Sequence, residues 1–194
     1  MTPLVFATHN ANKAKEIAAI LNGMFEVKTL HDIGFLNEII ESGNTLEENA
    51  SIKAHAIFAA TSFNCFADDT GLLVQALNGA PGVHTARYAG PEKDAQQNNN
   101  KLLHALSEIT DRNASFVSII HLIFEGQSYC FKGELKGTIA TEAIGSEGFG
   151  YDPIFIPLGS DRTLAQMSLQ EKNAMSHRAI AFQKMLEFLT EKRN

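Results

Sequence analysis

The chain has little of several features that mark particular classes of protein. Its 194 residues include two cysteines, too few for a disulfide-rich secreted scaffold. Acidic residues outnumber basic ones by 22 to 16, for a formal net charge of −6, which argues against a nucleic-acid-binding surface. No apolar run reaches the roughly 18–20 residues that a membrane-spanning helix needs. We therefore expect a soluble, cytoplasmic protein with no nucleic-acid or membrane partner.

Several catalytic motifs are also missing from the sequence. The pattern GxxxxGK[ST] does not occur, which excludes P-loop NTPases. No Ser-His-Asp order, GxSxG or Cys-His motif points to covalent catalysis. Cys65 and Cys130 lie among apolar residues, far from CxxC spacing, so buried thiols in a reducing compartment are expected rather than a disulfide or a metal site.

The pattern of apolar residues predicts an α/β fold. The length of 194 residues suggests one large domain over residues 1–194 or two closely joined lobes. Strands are predicted at 4–7, 25–28, 65–67 and 116–124, the last with a hairpin partner at 129–139. Helices are predicted after Asn12 and at 45–61, 94–109 and 176–189. Because strands alternate with helices while the long hairpin is antiparallel, the sheet should be mixed.

The first polar segment of interest follows the first predicted strand. Its residues are Thr8, His9, Asn10, Ala11, Asn12 and Lys13. A polar turn between a strand and a helix directs backbone N–H groups at an anion, so this segment is a candidate phosphate site with Lys13 as the cation. The alternative is an Asn-rich helix cap with an exposed lysine.

Carboxylates form the second set of candidates. Glu41 stands beside Gly43 in a loop and is a candidate ligand for Mg²⁺, which prefers oxygen donors. Asp68 and Asp69 directly follow a buried apolar run. Adjacent carboxylates at a strand end are costly unless a cation or hydrogen bonds offset their repulsion, and strand ends of α/β sheets are where ligands bind. The alternative is an Asp-rich turn.

The richest segment is Gly148-Phe149-Gly150-Tyr151-Asp152-Pro153, followed by Lys172, Ser176, His177 and Arg178. Glycines let the backbone approach a ligand closely. Phe149 offers an aromatic platform, Asp152 an acceptor, and the later residues supply donors and positive charge. These are the groups that a purine base with phosphates requires. A tight turn followed by exposed cations is the alternative.

Taken together, these blocks resemble one known family, the inosine triphosphate pyrophosphatases. Further matching blocks lie between them: Asn49-Ala50, Lys53-Ala54, Gly79-Ala80-Pro81-Gly82-Val83 and Ala86-Arg87-Tyr88. All blocks occur in order, nearly from end to end of the chain.

The resemblance implies an elongated mixed β-sheet flanked by helices, with two lobes around a central nucleotide-binding cleft, and a homodimer. It implies a Mg²⁺-dependent hydrolase that converts the purine nucleoside triphosphates ITP and XTP, and their deoxy forms, to the monophosphate and pyrophosphate. Such an enzyme clears deaminated purines from nucleotide pools.

The resemblance also implies a role for each matching residue. The segment 8–13 would contact the triphosphate, with Lys53 as a further cation and Thr70 touching substrate. Glu41 and Asp69 would bind the metal, and Asp69 is also the family's proposed proton acceptor, although a metal-bound carboxylate is a poor base. Gly150 and Tyr151 would line the base site, where Phe149 stacks on the purine. The base edge would be read by Asp152, Lys172, His177 and Arg178.

Two other hypotheses remain open from the sequence. A pyrophosphatase of the same type acting on other modified or pyrimidine nucleotides would need the same metal and phosphate groups. A nucleotide sensor without turnover would not need to keep Glu41, Asp68 and Asp69.

Overall fold

The computed structural model of the chain describes residues 3–9, 17 and 26–193. In these residues the strands are β1 (Leu4–Phe6), β2 (Val27–Thr29), β3 (Cys65–Val74), β4 (Asn113–Phe124), β5 (Gln127–Ile139) and β6 (Phe155–Pro157). The α-helices are α1 (Leu46–Thr61), α2 (Ala95–Ala105), α3 (Leu169–Met175) and α4 (His177–Arg193). Short 3₁₀ helices lie at Gln75–Leu77, Gly82–Arg87, Asp152–Ile154 and Leu164–Gln166.

The six strands form one open sheet in the order β2-β1-β3-β4-β5-β6. β1 pairs in parallel with β2 and with β3, whereas β5 and β6 are antiparallel. β4 and β5 are joined by Glu125 and Gly126, both with positive φ, as a two-residue type I′ hairpin turn requires. The predicted mixed α/β sheet is therefore confirmed.

By its internal contacts the chain divides into two compact units. The first comprises residues 1–69, 119–132 and 181–194, and the second comprises 70–118 and 133–180. The chain passes from one unit to the other within β3, β4, β5 and α4.

In the first unit, apolar side chains cover both faces of the sheet. One face carries Phe6 and Phe66, stacked with ring centroids 4.6 Å apart, and Phe182 of α4 meets both rings edge-on. The other face carries alternate residues of the same strands, including Val5 and Cys65, under α1. Because side chains alternate along a strand, an uninterrupted apolar run supplies both faces.

The second unit has its own core. Leu72 and Val74 of β3 pack with Leu102 of α2 and with Leu106, which directly follows that helix, and Phe155 of β6 joins the same cluster. Burying a side chain of this size contributes about 1.5–3 kcal/mol, so α2 is held mainly by this apolar face.

Several predicted bounds need correction. The strand predicted at 65–67 continues through the aspartates to Val74, because Leu72 and Val74 continue the buried pattern. The C-terminal helix extends to Arg193, and β5 begins at Gln127. β6 and α3 were not predicted, since three and seven residues are too short for a periodic signal. The helix predicted after Asn12 lies outside the described residues, apart from the buried Ile17.

The two cysteines differ in their surroundings. Cys65 is buried, and its Sγ donates a hydrogen bond to Ala54 O at 3.2 Å. Burial raises the pKa of the Cys65 thiol to about 12. Cys130 is exposed, so the expectation of a buried thiol was wrong there. Cys130 lies on the opposite face of β5 from Tyr129 and Phe131, which pack against the core beside α4, and an apolar sequence context does not reveal this.

None of the helices in the described ranges is long and apolar enough to cross a membrane.

The two thiols should react differently with a disulfide reagent such as dithionitrobenzoate. We expect one equivalent per chain to react in the native protein at pH 8 and two in denaturant, because the thiolate is the reactive form and Cys65 stays protonated. Burial and the nearby Glu47 also raise the pKa of Cys130, so its reaction should be slower than that of free cysteine. A Cys130→Ser variant should show no native reaction; rapid reaction of that variant would contradict the assignment.

Candidate active site

The loop that carries Glu41 is tied to the start of α1. Thr45 caps the helix by accepting from Glu48 N at 3.1 Å, and the Glu48 carboxylate accepts from the loop through Asn44 N at 2.6 Å. Gly43 N donates to Asn49 Oδ1 at 2.8 Å. A Cβ on Gly43 would lie 2.6 Å from Glu48 Cβ, so the loop can lie this close to α1 because the residue is glycine.

Lys53, two turns into α1, joins this loop to the sheet. Its Nζ lies 3.2 Å from Glu41 Oε2 and 3.1 Å from Asp69 Oδ1 on β3. The lysine is buried, with 9% of its surface exposed. We call Glu41, Lys53 and Asp69 the carboxylate cluster.

The charge on Lys53 depends on its carboxylate neighbours. Burial by itself lowers the pKa of Lys53, but the charges of Asp69, Asp68 and Glu41 raise it, and the net pKa lies above the ordinary value. The ammonium is therefore retained throughout the neutral range. Its contribution to stability is present at neutral pH and is lost only as the pH rises through this raised pKa.

Asp68 and Asp69 do not share one position at a strand end. Both lie inside β3, where successive side chains point to opposite faces. Asp69 follows Cys65 and Ala67 on the face that packs against α1, and Asp68, which is 2% exposed, shares its face with Phe66. The predicted repulsion between adjacent carboxylates is thus relieved by strand geometry as well as by Lys53.

The first polar segment is described in part. Thr8 N donates to Phe6 O at 2.8 Å, and the exposed His9 donates from Nε2 to Asn37 O at 3.2 Å. The predicted phosphate contacts at Asn10, Ala11, Asn12 and Lys13 lie outside the described residues.

In the second unit, the segment Gly148–Asp152 forms a turn in which Gly148 and Gly150 have φ of +80° and +64°. Asp152 Oδ2 accepts from Phe149 N at 2.8 Å and from Lys172 Nζ at 2.6 Å. Lys172 Nζ lies 4.5 Å from the centroid of the Phe149 ring, which is 48% exposed. The buried Asp152–Lys172 pair therefore supports an exposed aromatic ring. We call this arrangement the glycine turn.

Two other groups fasten the glycine turn. Gly150 O accepts from Asn99 Nδ2 at 3.0 Å, and the Tyr151 hydroxyl donates to Thr85 O at 2.8 Å. The Tyr151 side chain is 3% exposed and lies in the core, and burial raises its pKa. The Tyr151 side chain thus anchors the turn; a substrate contact from this residue stays a prediction.

His177 and Arg178 begin α4, after Ser176, whose Oγ accepts from Ala179 N at 3.1 Å. Both side chains are buried, with 7% and 5% of their surface exposed. The His177 ring stacks on Phe116 of β4, with ring centroids 4.9 Å apart and planes at 12°. The orientation of the imidazole is therefore set by an aromatic neighbour 61 positions earlier in the chain.

The structure thus brings the predicted residues together in two groups. Glu41, Lys53 and Asp69 meet in the first unit, and Phe149, Asp152 and Lys172 meet in the second. Thr70 contacts Ser118 through their hydroxyl oxygens, 3.1 Å apart. The roles predicted for all these residues toward substrate and metal stay predictions.

Two supporting residues were missed at the sequence level. In the sequence Phe116 resembles any apolar residue of a β-rich run. Its contact with His177 could not be inferred, because the two residues lie far apart in the sequence. Asn99 could have been noticed, because it belongs to three consecutive asparagines, Asn98 to Asn100, within a helix. Asparagine is a poor helix former, so such a run indicates side chains engaged elsewhere.

Comparison with known proteins places the chain in a family. The profile described as the Ham1 family matches residues 4–188. The chain belongs to the Ham1 family. The resemblance drawn from the sequence motifs is confirmed by this match and by the relatives below.

Relatives of this Ham1-family chain match it along almost its whole length. The dITP/XTP pyrophosphatase of Christiangramia forsetii is 47% identical over 188 residues, which cover 97% of this chain and 99% of that protein. The dITP/XTP pyrophosphatase of Bacillus subtilis is 44% identical over 193 residues, covering 97% and 98%.

Solved structures of the Ham1 family share the fold. The Staphylococcus aureus Ham1 protein superposes with a TM-score of 0.92 at 38% identity, covering 98% of this chain and 99% of that one. The nucleoside-triphosphatase / dITP/XTP pyrophosphatase of Mycobacterium abscessus gives a TM-score of 0.81 at 41% identity, covering 95% and 98%.

The glycine turn should tolerate no side chain at Gly148. A Cβ there would contact Asp152 Oδ2, and φ is +80°. Gly159 is a matched control, because its φ is +84° but a Cβ would meet nothing within 4 Å. In urea denaturation, Gly159→Ala should lower the free energy of unfolding by about 1–2 kcal/mol, and Gly148→Ala by about 1–3 kcal/mol more. Equal losses in the two variants would contradict the clash.

Proposed function

We propose that this protein hydrolyses non-canonical purine nucleoside triphosphates, ITP, XTP and their deoxy forms, to the monophosphate and pyrophosphate, with Mg²⁺ as cofactor. The names of full-length relatives support this substrate class, since two of them, more than 40% identical, are dITP/XTP pyrophosphatases. The observation that carries the proposal is the convergence of Glu41 and Asp69 on the ammonium of Lys53.

The carboxylate cluster fits a magnesium ion that is completed by substrate. Among the described residues, no three His, Cys, Asp or Glu side chains are arranged to hold a metal ion by themselves. Mg²⁺ does not need such a cage, because it commonly binds one or two carboxylates together with phosphate oxygens and water. Glu41 and Asp69 supply two hard oxygen ligands, and the position of Lys53 Nζ between them marks a place that favours positive charge.

Each residue of the carboxylate cluster has a part in the reaction. Water attacks the α-phosphorus in line, a new P–O bond forms, and the bond from the α-phosphorus to the oxygen bridging to the β-phosphate breaks, which releases pyrophosphate. When bound, Mg²⁺ neutralises charge on the phosphate oxygens. Lys53 adds a fixed positive charge for the same purpose, as does Lys13 in the first polar segment. Glu41 and Asp69 would hold the metal ion, and a proton-accepting role for Asp69 competes with this one.

The glycine turn and the residues that begin α4 serve the base. Phe149 presents the exposed aromatic surface on which the purine stacks. His177 and Arg178 donate to the 6-oxo group of hypoxanthine or xanthine, and Asp152, held by Lys172, accepts from N1–H. Adenine has a donor at position 6 and an acceptor at N1, so it leaves these buried groups unpaired.

This activity gives the protein a clearing role. Deamination of adenine and guanine nucleotides yields inosine and xanthosine nucleotides, and their hydrolysis to monophosphates removes them from the pools used for polymerisation. As with the inosine triphosphate pyrophosphatases that the sequence resembles, we place this work in the cytoplasm and in a homodimer.

The test is Mg²⁺-dependent turnover of ITP, XTP, GTP, ATP and dTTP, with nucleotide and phosphate products resolved separately. We expect IMP and XMP with pyrophosphate, and a kcat/KM for ATP that is lower by roughly 10²-fold or more, because of the reversed hydrogen-bonding pattern of adenine. Preferential hydrolysis of dTTP would indicate that the substrates are pyrimidine nucleotides. IDP with orthophosphate would contradict the cleavage position, and tight ITP binding without turnover would favour a sensor.

Asp69→Asn and Glu41→Gln separate the metal role from the proton-accepting role. Both changes keep the side-chain shape and remove a negative charge. If both residues bind the metal, kcat/KM falls by about 10²–10⁴-fold in each variant, and each needs more Mg²⁺ for half-maximal rate. If Asp69 acts as the base, Asp69→Asn lowers kcat while its Mg²⁺ dependence stays that of the unaltered protein.

The control for charge removal is Asp161→Asn, at an exposed position that belongs to neither the carboxylate cluster nor the glycine turn. It should leave the turnover and the Mg²⁺ dependence unchanged. Full activity of Asp69→Asn would overturn both roles for Asp69.

A further inference from the structure

Three consecutive asparagines in α2 differ sharply in their surroundings. Asn98 and Asn99 are 3% and 6% exposed, whereas Asn100 is exposed. A buried primary amide is costly unless its donor and acceptor are hydrogen-bonded. The partners of the two buried side chains therefore indicate what each one is for.

Asn98 uses both ends of its amide on one neighbouring segment. Its Nδ2 donates to Ala86 O at 3.0 Å, and its Oδ1 accepts from Ala89 N at 2.6 Å. Both contacts fasten the chain at the end of the 3₁₀ segment Gly82–Arg87. Asn98 therefore has a structural role, with both its oxygen and its nitrogen bound to the same segment.

Asn99 instead reaches the glycine turn, 51 residues further along the chain. Its Nδ2 donates to Gly150 O at 3.0 Å. Since a carbonyl oxygen can only accept, the orientation of the amide follows from this contact. Within the described residues, Asn99 Oδ1 is buried without a hydrogen-bond partner. Asn99 thus retains a buried amide for a single contact, and that contact is with the turn that carries Phe149.

The glycine turn needs such a contact because its glycines allow the backbone many conformations. Phe149 stands between Gly148 and Gly150, and residues without Cβ restrict the chain least. The peptide N–H of Phe149 is held by Asp152 on one side. Gly150 O, one residue further, is held by Asn99. The two hydrogen bonds flank Phe149, so together they limit rotation of the segment that presents its ring.

We propose that Asn99 is a positioning residue for the base: by holding Gly150 O, it fixes the orientation in which Phe149 meets a purine, and it takes no part in the chemical step. This inference rests on the proposed function and adds a residue to the specificity of the same site. It predicts an effect on the binding of the base that acts through Phe149.

The variants are Asn99→Leu, which keeps the approximate side-chain volume, and Asn99→Asp, which keeps the shape but loses the donor at neutral pH. Asn100→Ala is the matched control, one position further on the exposed side of the helix. For both Asn99 variants we expect the KM for ITP, and the Kd for ITP measured calorimetrically without divalent ions, to rise by about 3–10-fold, as loss of one hydrogen bond implies. We expect kcat to stay within about twofold of the unaltered protein, because the carboxylate cluster is untouched.

A double-mutant cycle with Phe149→Leu separates positioning from a general structural role. If Asn99 acts through the ring, Asn99→Asp should have no further effect on the Kd for ITP once the ring is gone. The same effect in both backgrounds would overturn the proposal, and so would unchanged KM and Kd in the Asn99 variants. Should Asn99→Leu fail to fold, Asn99→Asp and Asn99→Ser carry the same test.

The outcomes distinguish this inference from the proposed function. If the unaltered protein hydrolyses ITP and the Asn99 variants do so with the same KM, the inference fails alone. If the unaltered protein neither binds nor hydrolyses ITP, the proposed function fails and the inference fails with it.

Discussion

Side chains alternate along β3, and this alternation assigns each residue of the strand to one face of a sheet that is covered on both sides. Cys65, Ala67 and Asp69 belong to the face under α1, whereas Phe66 belongs to the face under α4. The strand then continues into the second unit, where Leu72 and Val74 enter another core. A shift of one residue in its register would exchange every one of these assignments. The position of Asp69 beside Lys53 is therefore set by the packing of its apolar neighbours.

The buried ammonium of Lys53 is stable because two carboxylates meet it. Removing one partner of a buried ion pair typically costs about 3–5 kcal/mol, since the remaining charge stays desolvated. The same ammonium holds Glu41 and Asp69 close to one another. Their mutual repulsion is offset in advance, and the loop before α1 is held by Gly43 and Asn49. The cluster is thus held in place by contacts within the chain.

Local signals predicted much of this structure. The capping pattern of Thr45 and Glu48 indicated the start of α1, and the long β-rich run indicated β4. The motif residues pointed to Lys53 and Asp69 separately, and the structure adds that the two are in contact. What could not be predicted depends on contacts distant in sequence. The apolar run before Asp68 gave no sign that the strand continues beyond it, and the stacking of Phe116 on His177 has no local signature. Tyr151 lies within a motif, yet its side chain serves the core.

The ammonium of Lys172 has a consequence for how anything can reach Phe149. Because it lies 4.5 Å from the ring centroid, one side of the aromatic ring is already covered by a positive charge. A flat molecule could therefore stack on this ring only on the face that Lys172 does not cover. The charge on the covered face is shared, because the same ammonium donates to Asp152 Oδ2 at 2.6 Å. The two faces of the Phe149 ring thus differ in charge and in access.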